Sequence, residues 1–319
     1  IKIVKAQTMK YDGSVVEVKD EAIHEITPPE LSNANIYSNA RIKVMNMPGL
    51  ESGSVIEYTY IKKIKKERIK DNFSFSTYIQ STEPIKNSQL KIKIPENKEL
   101  NFDTRPEGFE PDIKKDDGIK KYLWEKEDIA AVKKEPSMPP LANIYDYIRV
   151  STVDDWEKIS KWYKTLLTDQ YELNDELKKK VHELSSQKES KRAKAAALYN
   201  YVAEKIRYVG LEYGIGGYKP HKAVEVYENR YGDCKDKSTL LIAMLDEIGV
   251  EAEAVLINSA ADIDLDIATV DNFNHMIVYL PKYDIYLDPT SDVTRFGDIP
   301  PADQGKEVFL PEKNLIKKV

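Results

Sequence analysis

The chain carries one cysteine, Cys234, in the segment Tyr231-Gly232-Asp233-Cys234-Lys235-Asp236-Lys237-Ser238. Asp233 is placed to cap a helix beginning at Cys234, and Asp236 at the third helical position completes a capping-box-like pair. Leu240, Leu241, Met244, Leu245 and Ile248 then recur on one face, and Gly249 supplies the left-handed conformation that stops the helix. A sulfur in that first turn lies among unpaired N–H groups and aligned peptide dipoles, a setting that favours thiolate over thiol. The same N–H groups can donate to the oxyanion of a tetrahedral intermediate.

A thiolate nucleophile needs a base that also protonates the leaving group. Of four histidines, His275 is the best placed, because it follows a loop and opens the apolar strand His275-Met276-Ile277-Val278-Tyr279-Leu280. The imidazole in turn needs an acceptor that fixes its tautomer. Asp288 ends the next strand, Asp284 to Asp288, just before Pro289. A hairpin turning through Pro281-Lys282-Tyr283 would set His275 and Asp288 side by side at one end. The order Cys234, His275, Asp288 is then a coherent catalytic triad. Each residue also has a plain structural reading: a lone cysteine is most often a small buried hydrophobe, and Asp before Pro is a common turn. The residues alone leave both readings open.

The elements that would position these side chains fall into two parts. At 319 residues the chain is long enough for two domains, expected at 1–145 and 146–319. The first reads as an antiparallel β-sandwich, with an N-terminally incomplete domain left open. Val15–Val18, Ala40–Met45, Ser54–Ile61, Phe73–Tyr78 and Leu90–Ile94 are β-branched or alternating segments separated by turn residues. Pro136, Pro139 and Pro140 mark the boundary, and Ile144–Val150 reads as one more extended segment. The second part is α+β. Thr152 or Asp154 is expected to cap a helix presenting Trp156, Ile159, Trp162, Tyr163 and Leu166 on one face. Another helix is expected over Ser186–Ile206 and a short one over Ala223–Tyr227, with polar Glu172–Leu184 as a shorter helix or a connection. Strands are expected over Ala252–Asn258, His275–Leu280 and Ile285–Leu287.

Three segments of this second part resemble the motifs of bacterial transglutaminase-like proteins. Gly232-Asp233-Cys234-Lys235-Asp236-Lys237-Ser238-Thr239-Leu240-Leu241 resembles the nucleophile motif. Phe273-Asn274-His275-Met276-Ile277-Val278 is similar to the histidine motif, and Tyr286-Leu287-Asp288-Pro289-Thr290 to the aspartate motif, with Tyr286 where many relatives have Trp. Ile206-Arg207-Tyr208 through Pro220 resembles the stretch before the nucleophile in a bacterial subgroup, and Met47-Pro48-Gly49 through Tyr58 resembles the uncharacterised β domain preceding it there. The resemblance implies a papain-like fold, whose members include cross-linking transglutaminases, peptidases, amidases and inactive relatives. It also implies a side-chain oxyanion donor ahead of the cysteine, for which Tyr208, Tyr213 and Tyr218 lie in the right region and Tyr208 is favoured. Export to the periplasm or envelope, and a further C-terminal domain, are implied as well.

The function expected is cysteine-dependent acyl transfer on an amide: hydrolysis of a peptide, protein or small amide substrate through a thioester. Protein cross-linking, and a non-catalytic binding or scaffold protein that keeps the fold, are the alternatives. Composition excludes other classes. The net charge is -6, from 54 acidic and 48 basic residues, which gives no long-range pull toward nucleic acid or anionic lipid. No run reaches the 18 or so apolar residues of a transmembrane helix. Gly214, Gly216 and Gly217 lack the Lys-Ser/Thr pair of a phosphate loop, so no cofactor is expected. No metal is expected either. Asp262, Asp264 and Asp266 alternate without the glycine and terminal glutamate of a calcium loop, and His221 and Asp233 belong to no spaced ligand set. His182 reads as a surface residue and His24 has no role. The sequence does not reveal the oligomeric state.

Overall fold

A computed structural model describes residues 1–29, 36–38, 40–211, 214–262 and 265–319. Tyr213 and Asp264, both named above, lie outside the described residues. In chain order the first half contains β1 (Lys2–Met9), β2 (Val15–Glu17), β3 (Ile23–Ile26), β4 (Ile36–Tyr37), β5 (Ile42–Met45) and β6 (Val55–Ile61). It continues with β7 (Ser74–Tyr78), β8 (Ile85–Pro95), β9 (Asn101–Arg105), β10 (Asp112–Asp116), β11 (Ile119–Ile129) and β12 (Tyr147–Ser151). The second half runs α1 (Trp156–Leu167), α2 (Asp175–Ser185), α3 (Lys191–Lys205), β13 (Arg207–Tyr208), β14 (Gly210–Leu211), α4 (Ala223–Asn229) and β15 (Tyr231–Gly232). It ends with α5 (Cys234–Glu247), β16 (Glu253–Ile257), β17 (His275–Leu280), β18 (Ile285–Leu287), β19 (Glu307–Leu310) and β20 (Leu315–Lys318). A β-rich, sandwich-like region is thus followed by a mixed α+β domain.

By internal contacts the chain divides into two units, residues 1–67 with 209–217, and residues 68–208 with 218–319. The first unit holds the sheet β2-β1-β6, the antiparallel pair β3-β5 and the short parallel pair β4-β14. The second holds two three-stranded sheets, β10-β11-β8 and β7-β12-β9, whose inner faces share one core. Ile92 and Ile94 of β8, Tyr122 and Trp124 of β11, and Ile148 and Val150 of β12 fill it. These residues stand two apart along their strands, the period of a pleated strand with one buried face. Trp124 is almost wholly enclosed, stacks near Tyr122 and Phe102, and donates its indole N–H to the Phe109 carbonyl at 3.1 Å.

The α+β part of the same unit is built on the five-stranded sheet β18-β17-β16-β19-β20. Met276 and Val278 of β17, Ala254 and Leu256 of β16 and Phe309 of β19 belong to the helical core, with Leu240, Leu241 and Met244 of α5. The alternate residues Ile277, Tyr279, Val255, Ile257 and Val308 form a second core on the opposite side. A sheet apolar on both faces reads as continuous hydrophobic runs, and β16 and β17 do.

Several boundaries differ from expectation for local reasons. The cap of α1 is Asp155, which accepts from the Lys158 N–H, in place of Thr152 or Asp154. Glu172–Leu184 resolves into the helix α2, capped by Asn174 and burying Leu177 and Val181. The helix expected over Ser186–Ile206 starts at Lys191, where Ser190 caps it. Strand β8 extends well beyond Leu90–Ile94, and β1, β3, β9, β10, β11, β19 and β20 were not anticipated. Strand β10 is exposed along its whole length, so it offers no alternation to read. No helix among the described residues is long and apolar enough to cross a membrane.

Trp124→Ala empties the centre of the sandwich core and strands the Phe109 carbonyl. A loss of roughly 3–5 kcal/mol is expected, read as a lower midpoint in denaturant titration followed by tryptophan-independent circular dichroism.

Candidate active site

The site starts with the first turn of α5. The Asp233 side chain accepts from the Asp236 N–H at 3.3 Å, and Asp236 Oδ2 accepts from the Asp233 N–H at 3.2 Å, closing the capping box expected from the sequence. Glycine is required just before it, because a Cβ on Gly232 would sit 2.5 Å from the Asp236 Cβ. Gly249, at φ +66°, ends the helix. Cys234, the first residue of α5, is half-buried.

The charges around this turn are buried and paired. Lys235 makes an ion pair with Asp233. The second oxygen of the Asp236 carboxyl, Oδ1, accepts from the His221 backbone N–H at 2.8 Å and lies 3.1 Å from its Nδ1. Burial alone would raise Asp236, but His221 and Lys235 hold its carboxyl below the ordinary value. Asp233 moves the other way, raised by burial and by the charge of Asp236. Burial opposes the charge on Lys235, and the two aspartates outweigh it, so its ammonium is more firmly held than usual. His221 was set aside at the sequence level as part of no ligand set; its role here is to neutralise a capping carboxylate.

Two further side chains fasten α5 in place. Lys237 is only 1% exposed and donates to the Ile206 and Ala203 carbonyls at 2.7 and 3.1 Å, closing the C-terminal end of α3. Burial pushes its ammonium down to about 8. Ser238 donates to the Met276 carbonyl at 3.1 Å, one residue beyond His275. The helix that begins with Cys234 is therefore tied directly to the strand that carries the imidazole.

His275 opens β17, where it pairs with Ile257 of β16. Strand β18 pairs with β17 at Val278–Leu287, Tyr279–Tyr286 and Leu280–Ile285. Extending that register by one residue sets Asp288 opposite Ile277, a diagonal neighbour of His275. Their side chains meet, with His275 Nε2 3.1 Å from Asp288 Oδ2. Asp288 Oδ1 accepts from the Thr290 N–H at 2.9 Å and from its hydroxyl at 2.7 Å. The Asp288 backbone carbonyl accepts from the buried Tyr199 hydroxyl at 3.1 Å.

Burial opposes a positive charge on His275, yet hydrogen bonds from its ring to Asp288 and Cys234, with the charges of both, push it up to about 10. Burial likewise raises Asp288, and His275 with Thr290 more than reverse it, leaving the carboxyl below its ordinary range. The geometry thus joins His275 to Asp288, and the Cys234 sulfur is among the groups that raise the same ring. Cys234 is not part of the tighter cluster formed by His275, Asp288 and Asp303, whose potential ligand atoms lie within 4.8 Å of one another. That cluster is also the group of side chains among the described residues that could hold a metal ion.

Tyr208 lies in β13, and its parallel pairing sets it opposite Gly232, two residues before Cys234; its side chain is 41% exposed. Tyr218 packs its ring edge-on to Trp162 at 5.6 Å and under the Arg68 guanidinium at 5.1 Å. Asp262 accepts from Asn143 at 2.8 Å and from Lys306 at 2.6 Å. His182 is exposed and lies 3.1 Å from Glu247. Asp303, Lys237 and Ser238 are the participants that sequence reasoning did not single out. Asp303 had no signal to find, since it sits in a Pro-Pro-Ala-Asp-Gln loop without periodicity or spacing.

Comparison with known proteins fits this arrangement. Residues 1–133 match a domain of unknown function with a solved structure, DUF3857, and residues 178–281 match the transglutaminase-like superfamily. The chain joins a DUF3857 domain to a transglutaminase-like domain. The second match contains Cys234 and His275 and stops short of Asp288. Among solved structures, a "putative protease" from Parabacteroides distasonis superposes with a TM-score of 0.78 at 19% identity, over 100% of this chain and 61% of that one. At that identity the likeness speaks for the fold alone, and the chain spans about three-fifths of that structure's length. A "putative cysteine protease" from Cytophaga hutchinsonii aligns over 69% of this chain and 71% of its own at 12% identity, with a TM-score of 0.31, too low to carry an argument. No curated protein matches the sequence.

Two outcomes follow from this geometry. Gly232→Ala forces the Asp233–Asp236 box apart and should cost roughly 1–3 kcal/mol, seen as a lower thermal midpoint. For His275 the folded value, about 10, lies above the unfolded 6.5. Its charge therefore contributes stability that is fully present below about pH 6.5 and is lost as pH rises through about 10. In Asp288→Asn the burial of His275 loses the compensation of the Asp288 charge. Its NMR titration midpoint should fall, and the stability gap to wild type should narrow as pH climbs through that same window.

Proposed function

We propose that the chain is a cysteine-dependent acyl transferase acting on amides, running in the direction of hydrolysis of a peptide or related amide. The observation that carries this reading is the His275 ring, held by Asp288 through Nε2 while its titration responds to the Cys234 sulfur at the start of α5. With Nε2 committed to the carboxylate, Nδ1 is the nitrogen left to exchange a proton with the thiol.

In the proposed reaction the Cys234 thiolate adds to the amide carbon. The carbonyl oxygen takes the electron pair and is met by N–H groups of the first turn of α5, which have no partner within the helix. Tyr208, opposite Gly232 and directly ahead of the cysteine, is the side chain assigned to assist them. The oxyanion collapses, the C–N bond breaks, and the His275 imidazolium gives its proton to the departing amine. A thioester remains on Cys234. Neutral His275 then takes a proton from water as its oxygen attacks the thioester carbon. Collapse breaks the C–S bond, releases the acid and restores the thiolate–imidazolium pair. Asp288 stays ionised throughout and keeps the ring in its tautomer. Hydrolysis is preferred to cross-linking because water needs no acceptor site of its own.

The test is labelling by an electrophilic peptide analogue, followed by intact-mass and fragment analysis. One label per chain at Cys234 is expected, slowed about 10²–10⁴-fold in His275→Ala. A labelling rate indifferent to His275→Ala would remove the base from the reading. Incorporation of a fluorescent primary amine into a protein substrate, faster than release of the acid, would turn the assignment to cross-linking.

A further inference from the structure

We infer that Asp303 is a positioning residue of this site, an un-ionised carboxylic acid whose Oδ2–H donates to Asp288. The inference rests on reading His275 and Asp288 as base and orienting acceptor.

Asp303 lies between β18 and β19, in a turn closed by its own N–H donating to the Pro300 carbonyl at 2.9 Å. It is 1% exposed. Oδ1 accepts from the Ser259 hydroxyl at 2.5 Å. Oδ2 is buried and meets no N–H or O–H donor among the described residues. The Asp303 carboxyl also lies beside the Asp288 carboxyl and the His275 ring, with one potential ligand atom of each within 4.8 Å of the others. Two buried carboxyls that close are the arrangement in which two like charges cannot both persist. A proton on Oδ2 resolves it, converting an unmatched acceptor into a donor. Asp288 cannot take that proton as readily, because His275 and the two Thr290 donors already hold it anionic. Among the described residues, Ser259 just beyond β16, His275 from β17 and Asp288 just beyond β18 act on Asp303. Burial and Asp288 raise the Asp303 carboxyl, and they outweigh the opposite pull of Ser259 and His275.

Asp288 would then accept from His275, from Thr290 and from Asp303, leaving its carboxylate no freedom to rotate away from the imidazole. A second anion in that place would instead deepen the hold on the imidazolium proton.

The test follows the His275 ring by NMR in the full chain, with ¹³C- or ¹⁵N-labelled histidine, in wild type, Asp303→Asn and Asp303→Ala. Asparagine is neutral and keeps an N–H donor, so Asp303→Asn should leave the His275 midpoint within a fraction of a pH unit. Asp303→Ala removes the donor, leaves Asp288 with a stronger pull on the ring, and should raise the midpoint. If alanine prevents folding, the asparagine variant alone decides. A midpoint about one unit or more lower in Asp303→Asn, a tenfold loss of proton affinity, would mean Asp303 is an anion and would overturn the inference. So would Zn²⁺ alone displacing the His275 proton in wild type but not in Asp303→Asn, which would make Asp303 a metal ligand. Because the midpoint is read without turnover, it stands apart from the labelling experiment. Cys234 labelling indifferent to His275→Ala sinks the acyl-transfer reading, whereas a fallen midpoint sinks only the role of Asp303.

Discussion

A buried charge survives in a protein only if an opposite charge or well-aimed hydrogen-bond partners are buried with it, and the second half of this chain is arranged around that constraint. Removing an ion from water costs several kcal/mol even after relaxation, and a paired neighbour barely offsets it. Around one helix terminus, Asp233, Lys235, Asp236 and Lys237 are all buried, with His221 half-exposed at the margin. Apolar residues of the same volume would hold such a turn at least as firmly. What the charges add is direction. Each carboxyl has one geometry that satisfies it, and those geometries together fix where residue 234 sits relative to β17. Conformational specificity, more than stability, is what this network contributes.

The helix α5 is correspondingly over-determined. Its first turn is closed by a capping box, its second turn reaches α3 through Lys237 and β17 through Ser238, and its apolar face is submerged in the main core. Proton transfer between a thiol and an imidazole requires near contact, so half an ångström of play would matter. The direct Ser238–Met276 hydrogen bond links the two elements that carry the partners without passing through a loop. The Tyr199 hydroxyl does the equivalent for Asp288, bridging its carbonyl and that of Thr294 from the middle of α3.

How much of this was legible in the sequence depended on how local the cause was. The helix from Cys234 to its glycine stop, its aspartate cap, and the hairpin that sets His275 near Asp288 are encoded by neighbours a few residues apart, and they read correctly. The family resemblance of the three motifs carried the fold of the domain beyond what periodicity alone could. Strands β10 and β11 resisted because one is wet on both faces and the other is studded with lysines and glutamates, so neither shows clean alternation. Lys237 reads as a surface lysine until Ala203 and Ile206, some thirty residues earlier, are seen to lie against it. Asp303 depends on Ser259 and Asp288, which no spacing rule connects to a proline-flanked loop.

An imidazole titrating near 10 looks at first like a poor acid for expelling an amine, since the best catalytic groups titrate near the working pH. The causes of that elevation resolve the difficulty. Part of it comes from Asp288, which is permanent, and part from the Cys234 sulfur, which is not. In the reaction proposed above, the sulfur ceases to be an anion as it attacks the carbonyl, and its hydrogen bond and its attraction for the ring both fade. Burial, which opposes the charge throughout, is then weighed against Asp288 alone. The proton becomes easier to give at the stage where the leaving nitrogen needs it, and the neutral ring that remains is ready to take one from water. A second carboxylate charge at Asp303 would cancel much of that fall by holding the imidazolium from behind. On the proposed reading a neutral Asp303 lets Asp288 orient the ring through its hydrogen bond without over-stabilising the charged form, so the sulfur would set when the base turns into an acid.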